Sequence, residues 1–441
     1  MFACPNCGGN LKFDIPSQQL ACEYCQTQAD PYAFDDKAEG SFEKLDYEVT
    51  VFSCPQCGGE IVSTDTSAAE FCTFCGASTI LHSRLRNEKR PNYIIPFKQT
   101  KEDCKKAYSN MMKKAIFAPD ALKNPKYIDS FRGIYMPYWA FYVTQQSPFS
   151  LNGSRSKRRG DYIITDHFNL KGDINAYYKG LSYDASSSFD DKISEKIAPY
   201  DVKGMKAFTP AFLSGFYADT ADVSSEEYRI QAENLATENS IKRIHSTPEF
   251  AGLEIKGSLG PSSLNTQTKE VDSTMFPVWF LSYRNAGRVA YATVNGQTGK
   301  VVTDLPVDVR KYLTGSLLLA LPIFILLNLL FTFMPSTLLI ITTIIAAISM
   351  VIYFCELGAI KKKEHLENKK TDIGLVTAII ALVLGIGITI LNPVSDLFYY
   401  GGALISLCAV FFTIKDIMYY YNIMSTRRLP QFDRTGGDDN A

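Results

Sequence analysis

Four apolar runs near the end of the chain constrain its fold more than any other feature. They are Gly315 to Met334, Pro335 to Cys355, Ile373 to Leu391 and Leu397 to Ile414, and none holds an acid or a base. A helix needs about 20 mostly apolar residues to cross a bilayer, so each run has the length and composition of a span. The sequence is that of an integral membrane protein. Its net charge of -1 averages two unlike parts that divide near residue 312.

The links between the runs set the orientation. Lys361, Lys362, Lys363, Lys369 and Lys370 lie between the second and third, Arg310 and Lys311 precede the first, and Lys415, Arg427, Arg428 and Arg434 follow the fourth. The other two links carry no Lys or Arg. The positive-inside bias then places both termini and the lysine-rich link in the cytoplasm, and an even number of spans agrees. The chain opens on Met1-Phe2-Ala3-Cys4 without a basic and then apolar stretch, so no cleavable signal peptide is expected. The expectation is a multi-pass protein of the plasma (cell) membrane.

Eight of the eleven cysteines fall in Cys-x-x-Cys pairs, which in a reducing compartment point to metal rather than cystine. Cys4 and Cys7 are followed by Cys22 and Cys25, and Cys54 and Cys57 by Cys72 and Cys75, with the same fourteen-residue gap. Phe2 matches Phe52, Leu11 matches Ile61 and Tyr24 matches Phe74 in a 50-residue repeat. Zn(II) takes four ligands in a tetrahedron, and two such turns at the ends of a short hairpin supply them. Gly8-Gly9 and Gly58-Gly59 allow tight turns whose N–H groups point at the sulfurs. Two structural zinc ions are expected, each closed by four cysteines, with no position open for catalysis. A unit of about 25 residues has almost no core, so metal binding supplies its folding free energy. Cys104, Cys355 and Cys408 are left over and expected as small buried hydrophobes.

Charge bears on what the zinc ribbons bind. From Met1 to Arg84 there are four bases against twelve acids, a net of -8. Nucleic-acid binders draw most of their affinity from Lys and Arg on phosphates, so acidic ribbons suit a protein partner better. Ribbon 1 is expected over 1–30, a mobile acidic linker over 31–50 and ribbon 2 over 51–82.

Residues 83–311 read as an α+β domain. Thr100 and Asp103 have capping-box spacing, and Cys104, Ala107, Tyr108, Met111, Met112, Ala115 and Ile116 recur at helical steps over about 17 residues. The other face carries Lys101, Lys105, Lys106, Lys113 and Lys114, either as a solvated back or as a contact with an anionic membrane surface. Ile134 to Val143 and Met275 to Tyr283 each contain Pro-x-Trp and read as core strands of one sheet. Ser154 to Arg159, with Arg155, Lys157, Arg158 and Arg159, reads as a polar loop at a hairpin tip or a lipid-headgroup contact. Strands follow at Tyr162 to Leu170 and Asp173 to Tyr178, then a helix from Ser225 to Ile244 with Ser224 and Glu227 as its capping box. A hairpin around Asn285-Ala286-Gly287 and a turn at Asn295-Gly296 close the domain.

Positive signs of catalysis are missing. His82, His167, His245 and His365 lack ligand or triad spacing, and Gly296 to Lys300 is too short for a phosphate loop. The spans lack the ionisable residues of a transport path, Asn328 being their only amide. No enzyme and no small-molecule substrate is expected. Residues 312–421 are expected as a transmembrane four-helix bundle (about 315–334, 335–355, 373–391 and 397–414), with 422–441 as a cytoplasmic tail.

Cys-Pro-x-Cys-Gly-Gly with its Cys-x-Tyr-Cys partner, Ile95-Pro96-Phe97, Gly133 to Trp139, Pro277-Val278-Trp279 and Val294 to Lys300 form an ordered set. In these the chain resembles bacterial membrane proteins, chiefly Gram-positive, with transcription-factor-IIB-type zinc ribbons. The resemblance covers most of residues 1 to 311. Some members are encoded beside homologues of phage-shock protein A, which implies a membrane-stress adapter recruiting a phage-shock-protein-A-like partner. The reading is therefore a zinc-binding membrane adapter. Its rival is a membrane-tethered nucleic-acid-binding or transcription-related protein, resting on ribbon type and on the basic segments near Lys105 and Arg158.

Overall fold

The computed structural model describes residues 2–34, 46–63, 72–77, 82–250, 252–257, 259–285, 287–330, 333–363 and 373–430. The acidic linker over 35–45, His365 and the lysine-rich link over 364–372 lie outside them. The first four-cysteine unit is an antiparallel sheet of β1 (Leu11–Asp14), β2 (Gln19–Cys22) and β3 (Gln28–Ala29).

Thirteen described strands form the central sheet. In chain order they are β4 (Asp46–Ser53), β5 (Glu60–Ser63), β6 (His82–Lys89), β7 (Tyr93–Ile94), β8 (Arg132–Arg159), β9 (Tyr162–Asp184), β10 (Lys206–Ala207), β11 (Tyr217–Ala218), β12 (Glu254–Lys256), β13 (Thr266–Asn285), β14 (Arg288–Asn295), β15 (Val301–Thr303) and β16 (Arg427–Arg428). With them come α1 (Lys101–Lys114), α2 (Pro125–Ile128), α3 (Asp191–Ile197) and α4 (Glu226–His245).

The two aromatic runs pair as antiparallel β8 and β13, with Tyr135 opposite Pro277 and Gly133 opposite Trp279. Period-2 alternation sends Tyr135, Trp279 and Leu281 to the face covered by Cys104, Tyr108 and Met112 of α1. Ile134, Met136, Phe276, Val278 and Phe280 go to the other, under Phe189 and α3. Both indole N–H groups find backbone carbonyls, Trp279 that of Gln99 and Trp139 that of Val223, each at 2.9 Å. The aromatic runs are core.

Apart from the cysteine pairs, the segments that carry the family resemblance meet at one place. Phe97 stacks on Phe216 at 4.5 Å and leans on Tyr135 and Trp279 at 5.0 and 5.1 Å. A Cβ on Gly133 would come within 2.5 Å of Phe216, and one on Gly296 within 2.5 Å of Phe97. Asn295 pins the turn: its Oδ1 accepts the N–H groups of Gln297 and Thr298 at 2.9 Å, and its Nδ2 donates to the Ile197 carbonyl at 3.0 Å. These motifs perform packing and turn chemistry.

Several local expectations are refined. α1 has its capping box, with the Asp103 N–H donating to Thr100 Oγ1 at 3.2 Å and the Thr100 N–H to Asp103 Oδ2 at 3.1 Å. The Ser224–Glu227 box does not form, because Ser225 takes the N-cap with helical dihedrals and the Ser224 hydroxyl meets the Glu226 N–H at 3.4 Å. The expected Ser154–Arg159 loop is strand. β8 and β9 stay paired out to Arg159 and Tyr162, well past the end of β13, as an arm that β12 joins at Asn152–Ser154 and that is two-stranded from there to its turn at Gly160-Asp161.

Four helices, α5 (Val309–Leu330), α6 (Pro335–Lys363), α7 (Ile373–Leu391) and α8 (Asp396–Met424), are long and apolar enough to cross a membrane. α6, α7 and α8 pack together through small residues. Ala378, Ala381 and Ala409 form a buried cluster, a Cβ on Gly385 would meet Thr343, and one on Gly402 would meet Leu339. The Gly374 N–H at the start of α7 donates to Asp416 of α8 at 2.8 Å. α5 stands apart, with Leu317, Leu318 and Phe324 exposed, and meets the central domain where Tyr312 packs on Phe117 at 5.1 Å. Cys104 is fully buried as expected, whereas Cys355 and Cys408 are exposed. They lie on outer helix faces, where lipid supplies the apolar surroundings that burial would otherwise provide. After α8 the chain returns to the domain that precedes α5, since β16 pairs with the start of β14.

Candidate metal centres

Each four-cysteine unit is built from two copies of one turn. In the first unit the Gly8 N–H bonds the Cys4 carbonyl and the Gln26 N–H the Cys22 carbonyl, both at 2.9 Å. In the second, Gly58 bonds Cys54 at 2.9 Å and Gly76 bonds Cys72 at 3.0 Å. The residue closing each turn has positive φ, so glycine occupies three of these positions and Gln26 (φ 61) bears the strained one. This geometry turns N–H groups onto sulfur: Asn6 and Cys7 onto Cys4, Gly9 onto Cys7, Cys57 and Gln56 onto Cys54, and Ala77 onto Cys75. Thr27, through its hydroxyl at 3.0 Å and its N–H, lowers the Cys25 thiol to about 6.

All eight cysteines named from the sequence come together in their expected fours. Within each group the sulfurs lie within 4.8 Å of one another. Cys4–Cys25 and Cys7–Cys22 are 3.5 Å apart, Cys54–Cys75 3.8 Å and Cys57–Cys72 3.7 Å. A tetrahedron with metal–sulfur bonds near 2.3 Å has edges of about 3.8 Å. Both groups fit a tetrahedral metal–thiolate centre, and such an ion would close the two halves of each unit against each other.

The surroundings of the two units differ. The second is part of the central sheet: β5 pairs β4 and β11, and β11 pairs β8. Its four cysteines are buried, and Phe74, 1% exposed, lies against Phe280 under the Tyr291 hydroxyl. The first unit touches the domain through its hairpin, where Phe13 packs on Phe212 at 5.2 Å and Gln18 Nε2 donates to the Phe97 carbonyl at 2.7 Å. Its turns face outward. Cys7 is exposed, and Tyr24, the counterpart of Phe74, is 80% exposed with its ring lying over Gly9. The sequence repeat made these units look equivalent; only the tertiary context separates them.

No known family profile and no solved structure matches the chain. It is 31% identical over 316 residues to the uncharacterized protein YdjG of Bacillus subtilis strain 168, across 70% of this chain and 91% of that protein. The chain belongs to the YdjG family.

In this YdjG-family chain three buried carboxylates, Asp184, Asp219 and Asp272, have no signal in the sequence, and Asp184 and Asp219 are the most buried of them. Asp219 is pushed up to about 6 by burial, though it accepts the hydroxyls of Ser186 and Ser188 at 2.5 Å. Asp184, at the end of β9, is pushed up to about 7 by burial, and among the described residues its Oδ1 has no hydrogen-bond partner. Neither lies in a motif, and only the fold buries them. Burial also raises the Cys104 thiol, which fits its place among core side chains.

Proposed function

We propose that this chain is a zinc-dependent membrane adapter in which the first ribbon docks a protein partner and the second is part of the scaffold. The contrast between exposed Tyr24 and buried Phe74 carries the reading. A large aromatic ring held over its own turn, beside exposed Pro5, Asn6 and Glu23, is the kind of rigid anchor that concentrates binding energy at interfaces. The all-thiolate, closed ligand sets support zinc as the metal and a structural role for it. Residues 1–45 carry three bases against seven acids, a net of -4, which supports a protein partner with a basic face.

The helices serve as anchor, with the central domain and both termini on the cytoplasmic side of the bacterial plasma membrane. The return of β16 to β14 supports an even number of crossings, and the basic flanks support the side. The adapter takes part in membrane-stress signalling, its partner resembling phage-shock protein A; this rests on the family resemblance of residues 1 to 311. Affinity capture of the full-length protein from solubilised membranes, under reducing conditions, tests the docking. Cys7→Ser is expected to lose the partner, and retention of every wild-type partner would overturn the reading.

A second reading, nucleic-acid binding, draws on the arm. Arg155, Lys157, Arg158 and Arg159 end β8 beside exposed Tyr162, and Arg155 lies over the Phe168 ring at 6.0 Å. Salt-sensitive retention of RNA or DNA by the full-length protein would favour it over the adapter.

A further inference from the structure

A cavity of about 600 Å³ opens where the helices meet the central domain. Val309 and Arg310 of α5 line one side, Tyr419 and Asn422 of α8 the other, and Tyr283 and Arg288 of the β13–β14 hairpin close it. We propose that it holds the phosphate headgroup of an anionic phospholipid whose acyl chains run along the unpacked flank of α5.

Depth comes first. Arg310 is in the first turn of α5, about 5 Å along the axis from Leu313, where the chain becomes apolar. Tyr419 lies on the last turns of α8, beyond the apolar run that ends at Ile414. The cavity therefore sits at headgroup level, where tyrosines such as Tyr283 and Tyr419 favour the interface. Below it, among the described residues, α5 is separated from the other three helices, and Leu317, Leu318 and Leu321 are exposed along its flank. In a membrane that opening is filled by acyl chains.

Charge comes second. Arg310 is exposed, and among the described residues its guanidinium makes no ion pair. Arg288 is fixed at the wall by donating to Thr426 Oγ1 and to the Ile423 carbonyl, both at 2.7 Å. Asp308 also lines the cavity, but its Oδ1 accepts the N–H groups of Arg310 and Lys311 at 2.9 and 3.3 Å and so caps α5. Lys311 is itself paired with Asp120. At the same level Phe117 packs on Tyr312, which brings the end of α1, with exposed Lys113 and Lys114 and with Ile116 at 66% exposure, to the membrane face. The basic face of α1 thus adds to the field that would hold an anionic lipid.

Native mass spectrometry of the delipidated full-length protein, in detergent with equal phosphatidylglycerol and phosphatidylcholine, tests this. The wild type is expected to retain phosphatidylglycerol preferentially. One basic group at the surface is worth about 1 kcal/mol, so Arg310→Gln is expected to lower that preference about fivefold. Arg310→Lys is expected to restore most of it, and Lys171→Gln on the distant arm to change nothing. Inorganic phosphate in the same buffer is expected not to displace the lipid. Equal retention of both lipids by the wild type, an unchanged preference in Arg310→Gln, or displacement by inorganic phosphate would overturn the proposal.

Discussion

The Tyr291 hydroxyl donates to the Phe74 carbonyl at 2.8 Å and so ties the second four-cysteine unit to β14. Arg427, just beyond α8, lies over the same Tyr291 ring at 5.3 Å while bonding Asp190 at 3.0 Å and also Asp304. The second four-cysteine unit, the central sheet and the exit of α8 therefore share one side chain. Tyr291→Phe removes this buried hydrogen bond and is expected to cost about 0.5–1.5 kcal/mol, read as a lower unfolding midpoint of the full-length protein in detergent.

The two centres should respond differently to ligand loss. Cys57→Ser removes one ion from a unit whose strands are inserted in the sheet, and loss of the cooperative thermal transition is expected. Cys7→Ser opens a unit attached at the domain's edge, so a cooperative transition is expected to survive. Elemental analysis should give two zinc ions per chain in the wild type and one in Cys7→Ser. Equal destabilisation by the two changes would contradict the asymmetry.

Phe74 and Tyr24 occupy matched positions with opposite expected costs. Phe74→Ala empties a core site and is expected to cost about 3–5 kcal/mol. Tyr24→Ala removes a surface side chain and is expected to stay within about 0.5 kcal/mol of wild type. Chemical denaturation followed by near-ultraviolet circular dichroism distinguishes them.

Asp184 sets a pH dependence. It is 4% exposed, and burial lifts it to about 7 in the folded state. An unfolded aspartate titrates near 3.9, so between these values the folded state binds more protons and stability falls as pH rises. The penalty is absent below about pH 4 and complete above about pH 7. Asp184→Asn is expected to be more stable than wild type at pH 8, by at most about 4 kcal/mol, with the difference vanishing toward pH 4. Unfolding midpoints at both pH values check this.

Much of the architecture was legible because it rests on local chemistry. Cys-x-x-Cys spacing located both four-cysteine groups, the capping box at Thr100 located α1, and four apolar runs located the four helices long enough to span a membrane. What was not legible depends on long-range packing. Nothing in Cys57 or Phe74 announces that β11 will join their unit to β8, and nothing in the α5 run announces that it stands apart from α6, α7 and α8. The Pro-x-Trp runs were read as core, but their meeting with Phe97 and Gly296 needed the register of β8 on β13. Free cysteine favours the interior of a water-soluble core, whereas Cys355 and Cys408 lie on outer faces of apolar helices, where burial in protein is not needed.

Site-specific photo-crosslinking in native membranes tests the adapter most directly, with the photoreactive residue placed at Tyr24 or, as a control, at exposed Tyr177 on β9, at the base of the arm. One protein adduct is expected from position 24, absent from position 177 and lost when Cys7→Ser is added. No protein adduct at position 24, or nucleic acid captured from the arm instead, would contradict a ribbon-docked adapter.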